Sequence, residues 1–193
     1  MAQTSADTRA PAPRKDDEEL RPLDDPALIK LAAGWLAAPA NQQWLDFGAG
    51  SRLVTPEYLR ILTQKDSYVI RAFVPPEVGA PIGVVGLSDV HAAFRTATLW
   101  VVLGDRRYAR RGYATRAVSN LLTLAFTELR LGAVTTWVVE HNPSIQIARR
   151  LNFRLIGRQR QCHYIAGVPY DRLWFDLLAS EHLDGQPAGS HSS

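Results

Sequence analysis

The clearest periodic pattern in the chain lies between residues 114 and 129, where apolar residues recur at intervals of three and four. This spacing predicts an amphipathic helix that buries one stripe of its surface. The stripe consists of Ala114, Ala117, Val118, Leu121, Leu122, Ala125 and Leu129. Two further helices are predicted at 27–38 and 57–64, because a capping residue and a proline precede each of them. A short helix is predicted at 144–151, with Ser144 as its cap.

Short apolar or alternating runs between turn-forming residues predict the strands of a sheet. The predicted strands are 20–23, 68–74, 81–90, 96–103, 133–139, 153–164 and 170–178, with the last two as an antiparallel pair. The first 19 residues are rich in Ala, Pro and charge, and they bury too little apolar surface to offset the entropy of ordering. We therefore expect a disordered N-terminal tail (1–19), one folded domain (20–180) and a flexible C-terminal tail (181–193).

The length of 193 residues favours a single domain with a substantial core. The single cysteine, Cys162, excludes an internal disulfide and fits a reducing compartment. No apolar run approaches the roughly 18 residues of a membrane span, and the N-terminus lacks the apolar core of a secretory signal. These features predict a soluble, cytoplasmic protein with no membrane association. The net charge of +3 is too small to indicate a nucleic-acid surface.

The segment that joins the strand 96–103 to the long helix carries the strongest signal of function. Gly112 lets the backbone approach a ligand closely, and the first amides of the following helix are unpaired donors. The helix dipole and the side chains of Arg110 and Arg111 add positive charge at the same place. This combination predicts a binding site for a pyrophosphate.

Three motifs in order resemble one enzyme family. Residues 104–115 read Gly-Asp-Arg-Arg-Tyr-Ala-Arg-Arg-Gly-Tyr-Ala-Thr. They fit the turn Gly-Asp/Glu-x-x-Tyr-x-x-x-Gly-Tyr-Gly/Ala-Thr of the GNAT acyltransferases, in the branch of ribosomal-protein-alanine and spermidine acetyltransferases. Pro143-Ser144-Ile145 with Ala148, Leu151 and Phe153 resembles the family's Asn-x-Pro-Ser-x-x-x-Ala-x-x-Leu-Gly-Phe helix, and 167–171 resembles its last hairpin. The resemblance covers roughly residues 20–180.

The resemblance implies an α/β fold, of the α+β type with a mixed sheet. The sheet would be mostly antiparallel, with six to seven strands, a parallel central strand pair and flanking helices. It implies acetyl-CoA as cosubstrate and no metal. The pantetheine arm would lie along the fourth strand, and the pyrophosphate would lie at the turn before the long helix. The implied cofactor-binding residues are Val101, Val102, Leu103, Arg110, Arg111, Gly112, Tyr113, Ala114, Thr115, Asn142 and Ser144.

The chain departs from the family pattern at the positions that usually carry the proton transfers. Thr98 and Leu99 stand where a glutamate base is common, and Arg149 stands where many relatives carry the tyrosine that protonates the thiolate. His141 occupies the place of the family's asparagine, with Asn142 one residue later. The remaining candidate bases, all predicted near strand ends facing the central cleft, are Asp89, His91 and Glu140.

Together these features predict transfer of an acetyl group from acetyl-CoA to a primary amine, most simply that of a small molecule. A protein N-terminus is the alternative acceptor, and the missing base and acid also leave open a catalytically silent acyl-CoA sensor or interaction module. A homodimer is also open. Acidic residues that would attract a polyamine are sparse, with Asp46, Glu57 and Asp89 the main ones. The aromatic residues available to line the acceptor pocket are Trp44, Phe47, Tyr58, Trp100, Tyr164 and Tyr170.

Overall fold

A seven-stranded mixed sheet is the frame of the structure, a computed structural model that describes residues 19–46 and 54–182. The strand order across the sheet is β1-β2-β3-β4-β5-β7-β6. The strands are β1 (Glu19–Pro22), β2 (Val69–Val74), β3 (Gly83–His91), β4 (Thr96–Leu103), β5 (Ala133–Val139), β6 (Arg154–Ile165) and β7 (Val168–Leu178). All neighbours are antiparallel except β4 and β5, which confirms the predicted fold class. Phe47 and nearly all of both expected tails lie outside the described residues.

Five helices lie within the described residues, and the first and third begin where the capping signals predict them. They are α1 (Pro26–Ala37), α2 (Pro39–Gln42), α3 (Pro56–Thr63), α4 (Tyr113–Thr127) and α5 (Ile145–Arg150). The Asp25 carboxylate accepts hydrogen bonds from the first amides of α1, and the Thr55 hydroxyl accepts one from Tyr58 N in α3. The four-residue α2 and two single 3-10 turns, at 106–108 and 179–181, are too short to show periodicity in the sequence. No helix in the described part of the chain is long and apolar enough to cross a membrane.

The hydrophobic core lies on both faces of the sheet. Neighbouring residues of a strand point to opposite faces, so Val85 joins the cluster under α4 whereas Val84 joins the cluster under α1 and α3. Leu121 of α4 belongs to the first cluster, and Leu36 of α1 and Leu59 of α3 belong to the second. The sheet is thus covered by α4 on one face and by α1 and α3 on the other.

The apolar stripe of α4 ends earlier than its periodicity predicts. The helix stops at Thr127, and Leu131 N donates to the Ala125 carbonyl as the chain reverses toward β5. Leu129 therefore leaves the core and is 37% exposed, so its prediction as part of the buried stripe is wrong. Leu131, which the pattern did not include, is buried in its place.

The parallel pairing of β4 with β5 covers only three residue pairs: Thr96 with Ala133, Ala97 with Val134, and Thr98 with Thr135. Beyond this point both strands continue, β4 pairing with β3 and β5 pairing with β7. Their facing edges are no longer joined by a ladder, and a side chain takes over at the fork, where the Thr136 hydroxyl donates to the Leu99 carbonyl at 2.9 Å. The sheet consequently opens into a V between residues 99–103 and 136–139.

Leu121, which is buried within α4, and Leu129, which is exposed just after the helix, give a direct test of this packing. Leu121→Ala removes a fully buried side chain and should lower the free energy of unfolding by about 2–5 kcal/mol. Leu129→Ala is the matched control, and it should cost less than about 0.5 kcal/mol because its side chain is exposed. Urea unfolding monitored by circular dichroism measures both values. Equal losses for the two variants would contradict the assignment of the core face of α4.

Candidate functional site

A cavity of about 850 Å³ occupies the V between β4 and β5 and continues to both faces of the sheet. On the α4 face it is lined by the turn before α4, the first residues of that helix and α5. On the other face it is lined by residues of α2 and of the loop after it, namely Ala40, Asn41, Trp44, Leu45 and Asp46. The opening of the sheet therefore joins two compartments, one beside α4 and one beside α2.

The turn before α4 leaves the first amides of the helix free of any side-chain cap. Arg110 and Gly112 both adopt left-handed backbone conformations, with φ of 63° and 85°. The helix begins with Arg116 N donating to the Gly112 carbonyl, and no side-chain cap precedes it within the described residues. Gly112 and the first three helical residues line the cavity, so the positive end of the helix dipole faces it.

The arginines of this turn have separate roles. Arg110 lines the cavity, whereas Arg111, predicted beside it, lies outside the lining with its guanidinium 5.7 Å from the centre of the Tyr108 ring. Arg107 donates to the Asp105 carboxylate, and these hydrogen bonds hold the pKa of Asp105 below its usual value. Only some of the local positive charge is therefore directed toward a ligand.

Arg116 in the first turn of α4 is engaged on the protein surface. Its guanidinium pairs with Glu77 at 2.9 Å and lies 5.0 Å from the centre of the Tyr113 ring. Glu77 thus supplies the anion that offsets a cation at a helix N-terminus.

The loop that enters α5 is held by Asn142. Its side-chain oxygen accepts a hydrogen bond from Ser144 N at 2.9 Å, while the Ser144 side chain makes no capping bond. Ser144 already has helical backbone angles, so the prediction that it caps α5 is wrong. Asn142 and Ser144 both line the cavity, together with Gln146 and Arg150. Gln146 and Arg150 are four residues apart and therefore lie on one face of α5, a spacing that is visible in the sequence.

Tryptophan side chains form part of the wall of the compartment beside α2. Of the predicted aromatic residues, Trp44 and Trp100 line the cavity, whereas Tyr58 and Tyr170 lie outside its lining and Tyr164 is 67% exposed. Trp137 of β5 lines it as well, although it reads in the sequence as an ordinary strand residue. Three indole rings therefore contribute to the wall of this part of the cavity.

The three candidate bases lie apart from the cavity lining. Asp89 sits in an irregularity of β3 with φ of 52° and is exposed, and the His91 ring stacks on Phe94 at 4.4 Å. Glu140 accepts from Arg158 at 2.7 Å and from Asp171 N at 3.0 Å. The structure thus does not gather them at the fork, and a direct catalytic role for any of them stays a prediction.

No group of three or more His, Cys, Asp or Glu side chains within residues 19–46 and 54–182 is placed to hold a metal ion.

Comparison with solved structures agrees with this architecture. A crystal structure of a probable acetyltransferase superposes with a TM-score of 0.72 at 20% identity, covering 87% of this chain and 97% of that one. Spermidine N-acetyltransferase from Vibrio cholerae, in complex with CoA and spermine, superposes with a TM-score of 0.74 at 16% identity, covering 86% and 97%. At these identities the likeness establishes the fold.

Comparison of sequences identifies the family. The curated relatives include a putative ribosomal N-acetyltransferase, YdaF, of Bacillus subtilis, 27% identical over 53% of this chain and 56% of the relative. They also include an uncharacterized N-acetyltransferase, p20, of Bacillus licheniformis, 29% identical over 58% and 62%. The matched segments thus span little more than half of these relatives. The sequence profile of the acetyltransferase (GNAT) domain matches residues 14–154, so the chain belongs to the GNAT acetyltransferase family.

Proposed function

We propose that the protein transfers the acetyl group of acetyl-CoA to the primary amine of a small molecule. The observation that carries this proposal is the fork between β4 and β5, which connects an uncapped helix N-terminus on one face of the sheet to an aromatic compartment on the other. A thioester placed at the fork would be accessible to an amine from the α2 side. Family membership supports the choice of acetyl-CoA.

The walls of the cavity fit a CoA molecule in three respects. Residues 101–103 have no strand partner on their β5 side, so their backbone groups can pair with the amides of a pantetheine arm. The amides at 113–115 and the Arg110 guanidinium suit a pyrophosphate. Asn142, Ser144 and Arg150 offer polar groups on the opposite wall.

The reaction requires the amine nitrogen to attack the thioester carbonyl, forming a C–N bond as the C–S bond breaks. Negative charge develops on the carbonyl oxygen, and a main-chain amide on the open edge of β4 is suited to stabilise it. The nitrogen loses one proton as the amide forms and the thiolate gains one; since Arg149 replaces the family's tyrosine, we infer that water carries this proton.

In this proposal, the pKa of the substrate amine determines how much of it has already lost its proton before the attack. Among the described lining residues Asp46 is the single carboxylate, and it forms an ion pair with Arg172. Asp89, His91 and Glu140 would have to act through water. We infer that the neutral fraction of the amine in solution sets the rate at neutral pH.

Two other functions have specific support. The name of the Bacillus subtilis relative favours a protein N-terminus as acceptor, and the arginine at position 149 favours a silent acyl-CoA-binding module. Thiol release from acetyl-CoA, measured with a panel of primary amines and N-terminal peptides, separates the three functions. Release with small amines supports the proposal, release with peptides alone supports the protein acceptor, and binding of CoA without release supports the silent module.

The turn glycine provides a test of the cofactor site. A Cβ atom at Gly112 would meet no protein atom within 4 Å, because the residue borders the cavity. Gly112→Val should nevertheless weaken CoA binding by more than about tenfold, since the branched side chain enters the ligand space and disfavours a positive φ. Isothermal titration calorimetry gives the affinity.

Gly79→Val is the matched control for this experiment. Gly79 also has a positive φ and open space around its Cβ position, but it lies in the β2–β3 turn, away from the cavity. The control should lose a similar amount of stability and keep the parent affinity. Equal affinities of both variants for CoA would remove Gly112 from the binding site.

The two adjacent arginines provide a second test. Arg110→Ala should weaken CoA binding by about five- to fiftyfold, as expected for loss of a charge-assisted hydrogen bond. Arg111→Ala should change it less than about twofold, because that guanidinium packs on Tyr108 outside the cavity. The difference should shrink for pantetheine, which lacks the pyrophosphate. The reverse order of effects would contradict the orientation of this turn.

The pH dependence tests the inferred route of the proton. With an alkylamine of pKa near 10, kcat/KM should rise about tenfold per pH unit below that value, since the neutral fraction rises in proportion. Asp89→Asn, His91→Gln and Glu140→Gln should keep this slope and stay within about threefold of the parent. A variant whose large loss at neutral pH disappears at high pH would identify that residue as the base.

A further inference from the structure

The charges around the acceptor compartment indicate what kind of amine it accepts. We propose, on the basis of the function proposed above, that the acceptor is a primary monoamine with an otherwise uncharged body. We further propose that Arg172 is the specificity-determining residue that excludes diamines and polyamines. The carboxylate of Asp46, which would otherwise attract a second ammonium group, is already neutralised by this arginine.

Arg172 is held against two residues of the compartment wall, Asp46 and Trp137. It lies on β7, and its side chain is 14% exposed. One terminal nitrogen donates to the Asp46 carboxylate at 2.8 Å, and the guanidinium carbon lies 4.0 Å from the centre of the Trp137 ring. Both Asp46 and Trp137 line the cavity. Because the planar guanidinium is already stacked on an indole and hydrogen-bonded to a carboxylate, little additional conformational entropy is lost when it keeps this position.

His163 on β6 holds the other side of the same guanidinium. Arg172 donates to His163 Nδ1 from Nε at 3.2 Å and from its terminal nitrogen at 3.0 Å. Arginine has no acceptor and a carbonyl has no donor, so His163 accepts at Nδ1 and donates from Nε2 to the Gln43 carbonyl at 2.7 Å. His163 is 7% exposed, and its hydrogen bonds to Arg172 and Gln43 tie β6 to β7 and to the α2 loop. Arg172 is thus held by His163 as well as by Asp46.

A further charged group on the α2 side of the cavity is also a cation. Among the described lining residues this is Arg106, which donates to the Ala40 carbonyl at 3.4 Å, whereas Arg110 and Arg150 lie on the proposed cofactor side. An ammonium that approached Asp46 would meet the attraction of one carboxylate and the repulsion of Arg172 at nearly the same distance. It would lose hydration without gaining a net ion pair.

A monoamine escapes this penalty because its one charge disappears when the neutral nitrogen attacks. Its carbon chain can bury against Trp44, Trp100 and Trp137, which supply apolar area on three sides of the compartment. The second ammonium group of a diamine would find only Asp46 among the described lining residues, and that carboxylate is already paired with Arg172.

Two amines with equal carbon chains, hexylamine and hexamethylenediamine, test this proposal. The measured quantity is the ratio of kcat/KM for the diamine to that for the monoamine, obtained from thiol release at saturating acetyl-CoA. The parent should favour the monoamine by more than about tenfold, and Arg172→Gln should raise the ratio by about tenfold by releasing Asp46. Arg172→Lys keeps the charge and should keep the parent ratio.

Two further variants show whether the ratio depends on the charge of Asp46 or on the shape of the side chains. Asp46→Asn should leave the diamine disfavoured, and the double variant Asp46→Asn with Arg172→Gln should lose the gain of the single Arg172→Gln change. Melting temperature and CoA affinity, measured for each variant, show that the fold and the cofactor compartment are intact. If Arg172→Gln fails to fold, the parent, the lysine variant and Asp46→Asn still give the ratio.

The outcomes distinguish this inference from the function on which it rests. A parent enzyme that acetylates the diamine as well as the monoamine, or an Arg172→Gln ratio equal to that of the parent, overturns the proposed specificity and leaves the transferase function standing. The absence of thiol release and of any heat of amine binding with both compounds, in a parent that binds CoA, overturns both.

Discussion

The early end of the β4–β5 ladder is the feature on which the rest of the structure depends. Two parallel strands that separate after three residue pairs leave backbone donors and acceptors facing an open space, which is costly unless something else satisfies them. The fold tolerates the opening because each strand keeps an outer partner, β3 for β4 and β7 for β5. The Thr136 hydroxyl, bound to the Leu99 carbonyl, closes the point of the V.

The long β6–β7 hairpin supports the α2 side of this opening. The Asp171 carboxylate accepts from Gln161 N, which has a positive φ in the irregular part of β6, and it also pairs with Arg158. The hydrogen bond from Gln161 N and the pairing with Arg158 hold the pKa of Asp171 below its usual value, so this support persists as long as the carboxylate is ionised. The irregularity precedes His163, whose buried ring orients Arg172. The Asp171–Arg158 ion pair thereby supports the segment that orients Arg172 beside the proposed acceptor compartment.

The features that sequence could predict were local ones. The bounds of β4 and β5 follow from apolar runs between turn residues, and α4 follows from a long stripe of apolar positions that tertiary packing reinforces. The turn at Gly112 has a motif because its chemistry is contained in twelve consecutive residues. Leu129 was misassigned because periodicity does not mark where a helix stops when no glycine or proline follows directly.

The features that sequence could not predict depend on distant residues. Asp46 and Arg172 are 126 positions apart, and neither belongs to a motif, so only the folded chain brings them together. The same holds for His163 and Gln43, which are 120 positions apart. Asp89 and His91 looked suitable as bases by residue type, but the irregularity in β3 places them outside the cavity lining. The proposed acceptor side therefore depends on tertiary contacts, whereas the proposed cofactor side depends largely on one segment of the sequence.

Hydrogen exchange with and without CoA tests the central claim most directly, since it reports on individual backbone amides. If the cofactor fills the fork, saturating CoA should slow exchange about tenfold or more in residues 99–103 and 112–116, while the amides of β1 and β2 keep their rates. Unchanged exchange in both segments at a CoA concentration that calorimetry shows to be saturating would contradict the account. The cofactor would then bind elsewhere, and the opening between β4 and β5 would need another explanation.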